Sequence, residues 1–275
     1  MIPVLDDAIR LQACLDALAS QQDAPAFEVV VVDNGSSDAS VAVARAHRSA
    51  PRLVEEPRLG SYAARNAGAA VAEGARLAFT DADCVPAPDW VARGAAALVD
   101  HPVVGGDVRP ATSSHPTVWE RYDRAVYLRQ RDLVEQQGFA ATADLWVRRE
   151  VFDAVGGFDP SLRSSGDLEW GRRAAAAGWT TSYDPSVVVL HAPRTTAGAT
   201  WRLHRRLGAG WSVLAARGEH PGLLQDRGLR LPLGMVVDAL ATDGPPLRRR
   251  QVAHVHALAM SARWVGRLGA TCRSG

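Results

Sequence analysis

Arg76-Leu77-Ala78-Phe79-Thr80-Asp81-Ala82-Asp83-Cys84 is the stretch on which the fold turns. Its apolar run reads as a buried strand and ends in two carboxylates spaced i, i+2. On extended backbone alternate side chains share a face, so Asp81 and Asp83 can point into one space. Pro86 and Pro88 forbid continuation of the strand. In open α/β sheets ligands bind at the carboxyl ends of the strands. Two hard oxygen donors there suit Mg²⁺ or Mn²⁺, which can in turn hold a diphosphate. The competing reading is a plain loop leading to a helix capped by Asp89.

Working outward, strands and helices alternate. Met1–Leu5 is a short apolar stub, and Asp6 or Asp7 can cap a helix carrying Ile9, Leu11, Cys14, Leu15 and Leu18. Phe27–Val32, apolar but for Glu28 and ending in four successive valines, reads as a strand buried on both faces. It leads into the turn Asp33-Asn34-Gly35-Ser36-Ser37-Asp38, a helix through Val41–His47 and a strand at Arg52–Glu55. A helix over Tyr62–Glu73 precedes the Asp81 strand; a helix over Asp89–Val99 and a strand over Val103–Val108 follow it. This order predicts a parallel sheet with helices on its faces. Beyond Pro116 the pattern gives one long charged helix over Val118–Glu135, a strand over Phe139–Val147, and a short helix over Glu150–Val155. A helix over Leu168–Ala177 and strands at Thr180–Tyr183 and Val187–Leu190 complete the sheet. From Thr200 the chain reads as helical, broken by Pro221, Pro232 and Pro245-Pro246.

The bulk properties narrow the function. A chain of 275 residues is ample for a core, and a net charge of +1 argues against a dedicated nucleic-acid binder. No lysine occurs, so any cationic grip on phosphate comes from guanidinium groups. Cys14, Cys84 and Cys272 are scattered without a CxxC, which fits a reducing compartment and no zinc site. Neither a signal peptide nor a run of the ~20 apolar residues a membrane span needs is visible, so a cytoplasmic location is the expectation. Topology brings the strand ends after Val32, after Thr80 and near Leu190 together. At the first, the Asp33 carboxylate can accept a hydrogen bond from a ring N–H such as that of uracil, or simply shape the Asn-Gly turn. Arg65 can reach a phosphate or lie on a solvated helix face.

VVVVDNGSSD, GSYAARNAG, FTDADC and VGGFDPSLRSSGDLEWGRRAAAAGW, in this order, resemble the successive blocks of a family 2 glycosyltransferase, from Ile2 to His191. The resemblance implies an α/β GT-A (Rossmann-like) fold: a mixed, mostly parallel sheet flanked by helices over residues 1–195, with a helical C-terminal extension over 196–275. It implies an enzyme that moves a sugar, with inversion, from a nucleoside-diphosphate-sugar, UDP-linked by preference, to an acceptor hydroxyl. Residue by residue, Asp33 would pair with the nucleobase, Pro3, Val4 and Gly35 would line the same pocket, and Arg65 would lie near the base and diphosphate. Asp81 would contact the ribose or the metal shell, Asp83 would ligate Mn²⁺ or Mg²⁺, and Asp167 would be the catalytic base. His191 resembles a histidine that helps hold metal or phosphate in some relatives; a buried structural histidine is the alternative. Trp170 offers a face for an acceptor sugar, whereas Trp179 reads as core. Asp167 can also cap its helix, and Glu169 points elsewhere on a helix.

The pattern departs from the family in two places. The base motif usually reads Glu-Asp, and here it is Gly166-Asp167. The chain also opens at what would be the tail of the first strand, so either the start lies upstream or the sheet tolerates a stub, and a chain extended by several native residues is expected to be more stable. Two other functions compete: a non-catalytic nucleotide-sugar-binding protein on the same fold, and a sugar nucleotidyltransferase. The latter wants a Gly-rich phosphate loop and a lysine, and neither is present. Finally, Arg248-Arg249-Arg250 precedes a stretch with Val252, Val255, Leu258, Ala259, Trp264 and Leu268. A basic amphipathic helix of this kind can lie on an anionic membrane or pack on its own domain.

Overall fold

The computed structural model describes residues 1–218 and 249–271. The proline breaks expected at Pro221, Pro232 and Pro245-Pro246, together with Arg248 and Cys272, lie outside the described residues. The chain divides into two compact units, residues 1–109 with 128–192, and residues 110–127 with 193–275.

The first unit starts from β-branched sequence. Val30, Val31 and Val32 in β2 (Val30–Asp33) are each at most 1% exposed, which stabilises the strand by ~1.5–3 kcal/mol per side chain. β2 pairs in parallel with β1 (Ile2–Val4) on one side and β3 (Arg52–Glu55) on the other. Helices α1 (Ala8–Leu18), α2 (Ser40–Ala46) and α3 (Ser61–Val71) connect these strands and lead to β4 (Arg76–Thr80). Met1 N–H donates to the Ala78 carbonyl (2.7 Å) and Thr80 N–H to the Met1 carbonyl (3.2 Å), the pattern of a parallel bridge between the chain start and β4.

The second half of the sheet runs in the order β4, β7 (Asp144–Arg148), β6 (Val103–Pro110), β8 (Thr181–His191), β5 (Cys84–Pro86). Here β4 with β7, β6 with β7, and β5 with β8 are antiparallel. The sheet is therefore mixed and helix-flanked, and its antiparallel half is the part that alternation of elements does not announce.

Several boundaries differ from expectation, each for a local reason. β4 ends at Thr80, and Cys84 N–H closes a turn onto the Asp81 carbonyl (3.1 Å), so Asp81 and Asp83 sit in a turn and not on extended chain. The expected helix over 118–135 is two, α5 (Val118–Val126) and α6 (Gln130–Gln137), parted where Leu128 adopts φ +49°. α5 belongs to the second unit and α6 to the first. Residues 139–143 are loop, held by Gln130, whose side chain accepts from Ala141 N–H and donates to the Ala141 and Asp144 carbonyls. The last two expected strands are one, β8, which runs through Pro185. β5 pairs only with Val189–His191, so the missing N–H at 185 faces no strand on that side. Asp7 does not cap α1 with its side chain. The cap is exchanged between turns, with Asp38 Oδ2 accepting from Ala8 N–H (3.0 Å) and Asp6 Oδ1 from Ser37 N–H (2.7 Å).

Asp144 is the core's most unusual residue. It is fully buried, and its Oδ1 accepts from the indole N–H groups of Trp90 (2.9 Å) and Trp146 (3.2 Å). Trp90 opens α4 (Trp90–Asp100), and its ring lies 4.6 Å from that of Trp146. Gly94 makes room for this pair: a Cβ there would meet Trp146 Cε2 at 2.2 Å. Burial, with Asp107 and Asp184 adding like charge, pushes the Asp144 carboxyl well above the carboxylate range.

In the second unit α9 (Ala197–Ala216) lies against the helix Arg249–Thr271, called α10 here. A Cβ on Gly208 would stand 2.1 Å from the Arg263 carbonyl oxygen, and one on Gly266 2.0 Å from that of Arg205. The two backbones thus touch, and these pairings make the helices antiparallel. Val252, Val255 and Ala259 are buried with Tyr122 of α5, so this part of the expected amphipathic stripe packs on its own unit.

Candidate active site

The turn after β4 gathers the acidic residues. One ligand atom each from Asp81, Asp83 and Cys84 lies within 4.8 Å of the others. The Cys84 thiol is fully buried, and burial beside the two carboxylates raises its pKa well above the ordinary thiol value. The two carboxylates offer hard oxygen donors, the kind that suits a divalent cation such as Mn²⁺ or Mg²⁺. Pairing of β5 with β8 sets Cys84 opposite His191 and brings His191 Nε2 to 3.5 Å from Asp83 Oδ2. Arg10 Nη1 stands 3.9 Å from the same oxygen. His191 is buried, as a structural histidine would be, and its ring nitrogen faces the Asp83 carboxylate.

Helix α3 carries the groups that tie this turn to Asp167. Gly60, at φ +131°, precedes α3, and its N–H donates to Asn34 Oδ1 (2.6 Å). Asn34 Nδ2 donates to the carbonyls of Glu56 (2.8 Å) and Arg58 (2.9 Å), so one amide clamps the loop before α3 to the end of β2. Tyr62 and Arg65, three apart, share a helix face, and the guanidinium lies 5.7 Å from the phenol ring centroid. Arg65 is 3% exposed and donates from Nη2 to Asp81 Oδ1. The solvated-face reading of Arg65 is therefore corrected: the side chain is turned inward. Its Nε is buried without a hydrogen-bond partner.

Tyr62 O–H donates to Asp167 Oδ1 (3.2 Å), as does Leu168 N–H (3.0 Å). Asp167 lies in the first turn of α8 (Gly166–Ala176) and is not its N-cap; Ser165, at φ +65°, holds that position. Both bonds fall on Oδ1. Burial pushes the Asp167 carboxyl upward, against the lowering effects of Leu168 N–H, the Arg65 charge and Tyr62. A carboxylate so placed is a stronger base than an exposed one. Gly166 stands where the family pattern usually has an acid. A Cβ there would be 2.7 Å from Tyr62 Cε2, so the phenol ring fills the space a side chain would need.

Asn66, also on α3, accepts from Phe158 N–H (2.9 Å) and donates to its carbonyl (2.7 Å), fixing the chain that leads into α8. Trp170 is 1% exposed; its indole N–H donates to the Gly156 carbonyl (2.8 Å) and its ring lies 6.0 Å from Phe152. The acceptor-stacking expectation for Trp170 is therefore corrected: it is a core residue, while Trp179 is only half-buried. Glu169 is engaged with Arg173 of its own helix through both oxygens (2.5 and 2.9 Å). Asp33, buried at the end of β2, accepts from Gly35 and Ser36 N–H groups (both 3.2 Å) and so shapes its turn; Gly35 itself is exposed at φ +92°. Val4 is buried and Pro3 half-buried beside it in β1, paired to Asp33 and Val32.

The structure thus brings Asp81, Asp83, Arg65, His191 and Asp167 into one contact network. Sequence reasoning missed Tyr62, Asn34 and Asn66. Helical spacing from Arg65 could have indicated Tyr62; nothing local marks the two asparagines as clamps.

Known proteins share this arrangement of chain. Residues 1–163 match the model of glycosyl transferase family 2. The glycosyltransferase AglE of Haloferax volcanii is 36% identical over 217 residues, covering 76% of this chain and 71% of that protein. A PGL/p-HBAD biosynthesis glycosyltransferase of Mycobacterium bovis is 31% identical over 184 residues, 63% of this chain and 67% of its own. Among solved structures, the mannosyltransferase PcManGT of Pyrobaculum calidifontis, in complex with GDP-Man and Mn²⁺, superposes with a TM-score of 0.68 at 22% identity, over 97% of this chain and 85% of its own. Staphylococcus aureus TarS 1–349 in complex with UDP-GlcNAc gives 0.58 at 16% identity, over 97% and 89%. With its GT-A fold and these relatives, the chain belongs to glycosyl transferase family 2 and is a glycosyltransferase.

Proposed function

We propose that the enzyme transfers a sugar from a nucleoside-diphosphate-sugar, UDP-linked by preference, to an acceptor hydroxyl with inversion at the anomeric carbon, with the aid of Mn²⁺ or Mg²⁺. The observation that carries this reading is the run of contacts from Asp167 through Tyr62 and Arg65 to Asp81, which joins a raised-pKa carboxylate to the acidic turn.

Asp83 and Asp81, with His191 beside Asp83, fit a divalent cation: the donors are oxygens, close together and only partly exposed. Such an ion, when bound, neutralises charge growing on the leaving diphosphate. Arg65, already buried and cationic, adds a fixed positive charge at the same turn and needs no reorganisation to do so. Asp33, oriented by the Gly35 and Ser36 amides, keeps lone pairs for the ring N–H of the nucleobase, with Pro3, Val4 and Gly35 around it. Asp167 takes the acceptor's proton at Oδ2, since Tyr62 and Leu168 hold Oδ1. A single displacement with base and leaving group on opposite faces inverts the anomeric centre.

The test is thermal stabilisation by UDP, GDP and dTDP with and without Mn²⁺, followed by hydrolysis of the corresponding sugars. Stabilisation by UDP that requires Mn²⁺ and vanishes in Asp83→Ala supports the reading. Stabilisation without metal, or slow hydrolysis that survives Asp83→Ala, refutes it.

A further inference from the structure

The phenol of Tyr62 is 5% exposed, and its neighbours fix the ring. The Phe158 ring lies 5.6 Å away and the Arg65 guanidinium 5.7 Å. On a third side Gly166 offers only a hydrogen, where a Cβ would stand 2.7 Å from Cε2. Asn66 of the same helix holds the Phe158 backbone, so both Tyr62 and its packing partner are anchored on α3. A ring held in this way gives its hydroxyl little freedom, and the O–H donates to Asp167 Oδ1 (3.2 Å). Asp167 itself is half-buried, which leaves part of it open to a reacting group. Leu168 N–H donates to the same oxygen from the next residue in the chain. One donor lets a carboxyl group turn about that bond, whereas two donors from different helices fix its plane.

We propose that Tyr62 is a positioning residue for the transfer: its O–H holds Asp167 Oδ1 so that Oδ2 is presented to the acceptor hydroxyl. The proposal rests on the reading of Asp167 as the base. Ring and hydroxyl have separable roles. The ring fills the space beside Gly166, and the hydroxyl serves Asp167 alone. Burial and the Asp167 charge push the phenol above its ordinary pKa, so it remains an O–H donor through neutral pH. A bond donated to a carboxylate favours the charged form and opposes the upward push of burial on Asp167. Arg65 acts in the same direction, and both groups reach Asp167 from α3. On the helix of Asp167 itself, Glu169 is paired with Arg173.

The test compares Tyr62→Phe, Asp167→Asn and the double variant in the full chain. Phenylalanine keeps the ring beside Gly166 and removes only the hydroxyl. Losing the bond raises the folded-state pKa of Asp167 further, so Tyr62→Phe should cost more stability as pH rises through that ionisation. In the Asp167→Asn background the cost should not change with pH, as urea unfolding would show without any substrate. Mn²⁺-dependent hydrolysis is then read on UDP-glucose, UDP-N-acetylglucosamine and GDP-mannose. For whichever is turned over, Tyr62→Phe should lower kcat roughly tenfold, part of the ~10²–10⁴ that a general base supplies. KM for the donor should be unchanged. The acid limb of the kcat profile should move up by roughly half to one pH unit, because a charged acceptor binds a donor more strongly than a neutral one. A cost of Tyr62→Phe that is independent of pH in both backgrounds, or a wild-type kcat and acid limb, overturns the proposal. Should Asp167→Asn hydrolyse as fast as wild type, the reading of Asp167 as base fails and this proposal with it. An inactive Asp167→Asn beside a Tyr62→Phe that matches wild type keeps that reading and removes the role of Tyr62 alone.

Discussion

Asp144→Ala should be among the most damaging single substitutions in the first unit, although it touches no proposed donor contact. The carboxyl accepts from two buried indoles, so alanine leaves both N–H groups without a partner. At about 1–3 kcal/mol for each buried donor orphaned, the loss is roughly 2–6 kcal/mol. Asp144→Asn keeps an acceptor for both indoles and carries no charge. The two substitutions separate hydrogen bonding from ionisation. Burial raises the folded-state pKa of Asp144, so the unfolded chain releases this proton first. Its stability contribution is fully present below the ordinary aspartate pKa and is lost as pH rises toward the folded value, by about 1.4 kcal/mol per pH unit. Asp144→Asn should therefore lie close to wild type at acid pH and gain on it as pH increases. Urea unfolding at a series of pH values, followed by far-UV circular dichroism to avoid the altered tryptophans, gives both numbers. A wild-type pH slope in Asp144→Asn, or a cost below about 1 kcal/mol in Asp144→Ala, would refute the neutral, double-acceptor role.

Asp167→Asn should abolish transfer without loss of stability, and its stability relative to wild type should rise with pH, because burial raises the Asp167 pKa too; paired activity and thermal-melt measurements at two pH values check this. The acid limb of the rate profile should correspondingly lie above the range of an exposed aspartate, as kcat/KM against pH would record. Arg65→Met removes the partner of Asp81. Because the Asp81 side chain is 32% exposed, water screens the orphaned charge, and the loss should fall below the ~3–5 kcal/mol of a fully buried pair. Gly94→Ala forces a Cβ to within 2.2 Å of Trp146 and should cost about 1–3 kcal/mol in urea unfolding through overpacking.

What the sequence makes legible follows the range of the interactions involved. The Val30–Val32 run and the strand before Asp81 announce themselves because burial on both faces requires apolar residues in succession. The pairing of Arg76–Thr80 with Asp144–Arg148 has no such signature, since an antiparallel partner some seventy residues away leaves no local period. Asp83 and Asp167 stand out as candidates because each sits in a motif. Arg65 is legible as a cation, but not as a buried one, because its burial depends on Asp81 and Tyr62 arriving from outside its own turn. Trp170 is hard to read for the reverse reason. An exposed helix face and one packed on Phe152 and Phe158 look alike until those rings are placed. The split of Val118–Glu135 depends on one backbone angle at Leu128, a residue with no preference for that conformation.

The close approach of Tyr62 to Gly166 couples two positions that lie 104 places apart in the chain. An acidic side chain introduced at 166 alone collides with the phenol ring, and a small residue at 62 alone leaves a hole and strips a hydrogen bond from Asp167. Change at either site alone is therefore expected to cost stability, and exchange of both together to cost less. Relatives bearing glutamate before the base should carry something slimmer than tyrosine on the facing helix, and engineering one state into the other requires two codons to change at once.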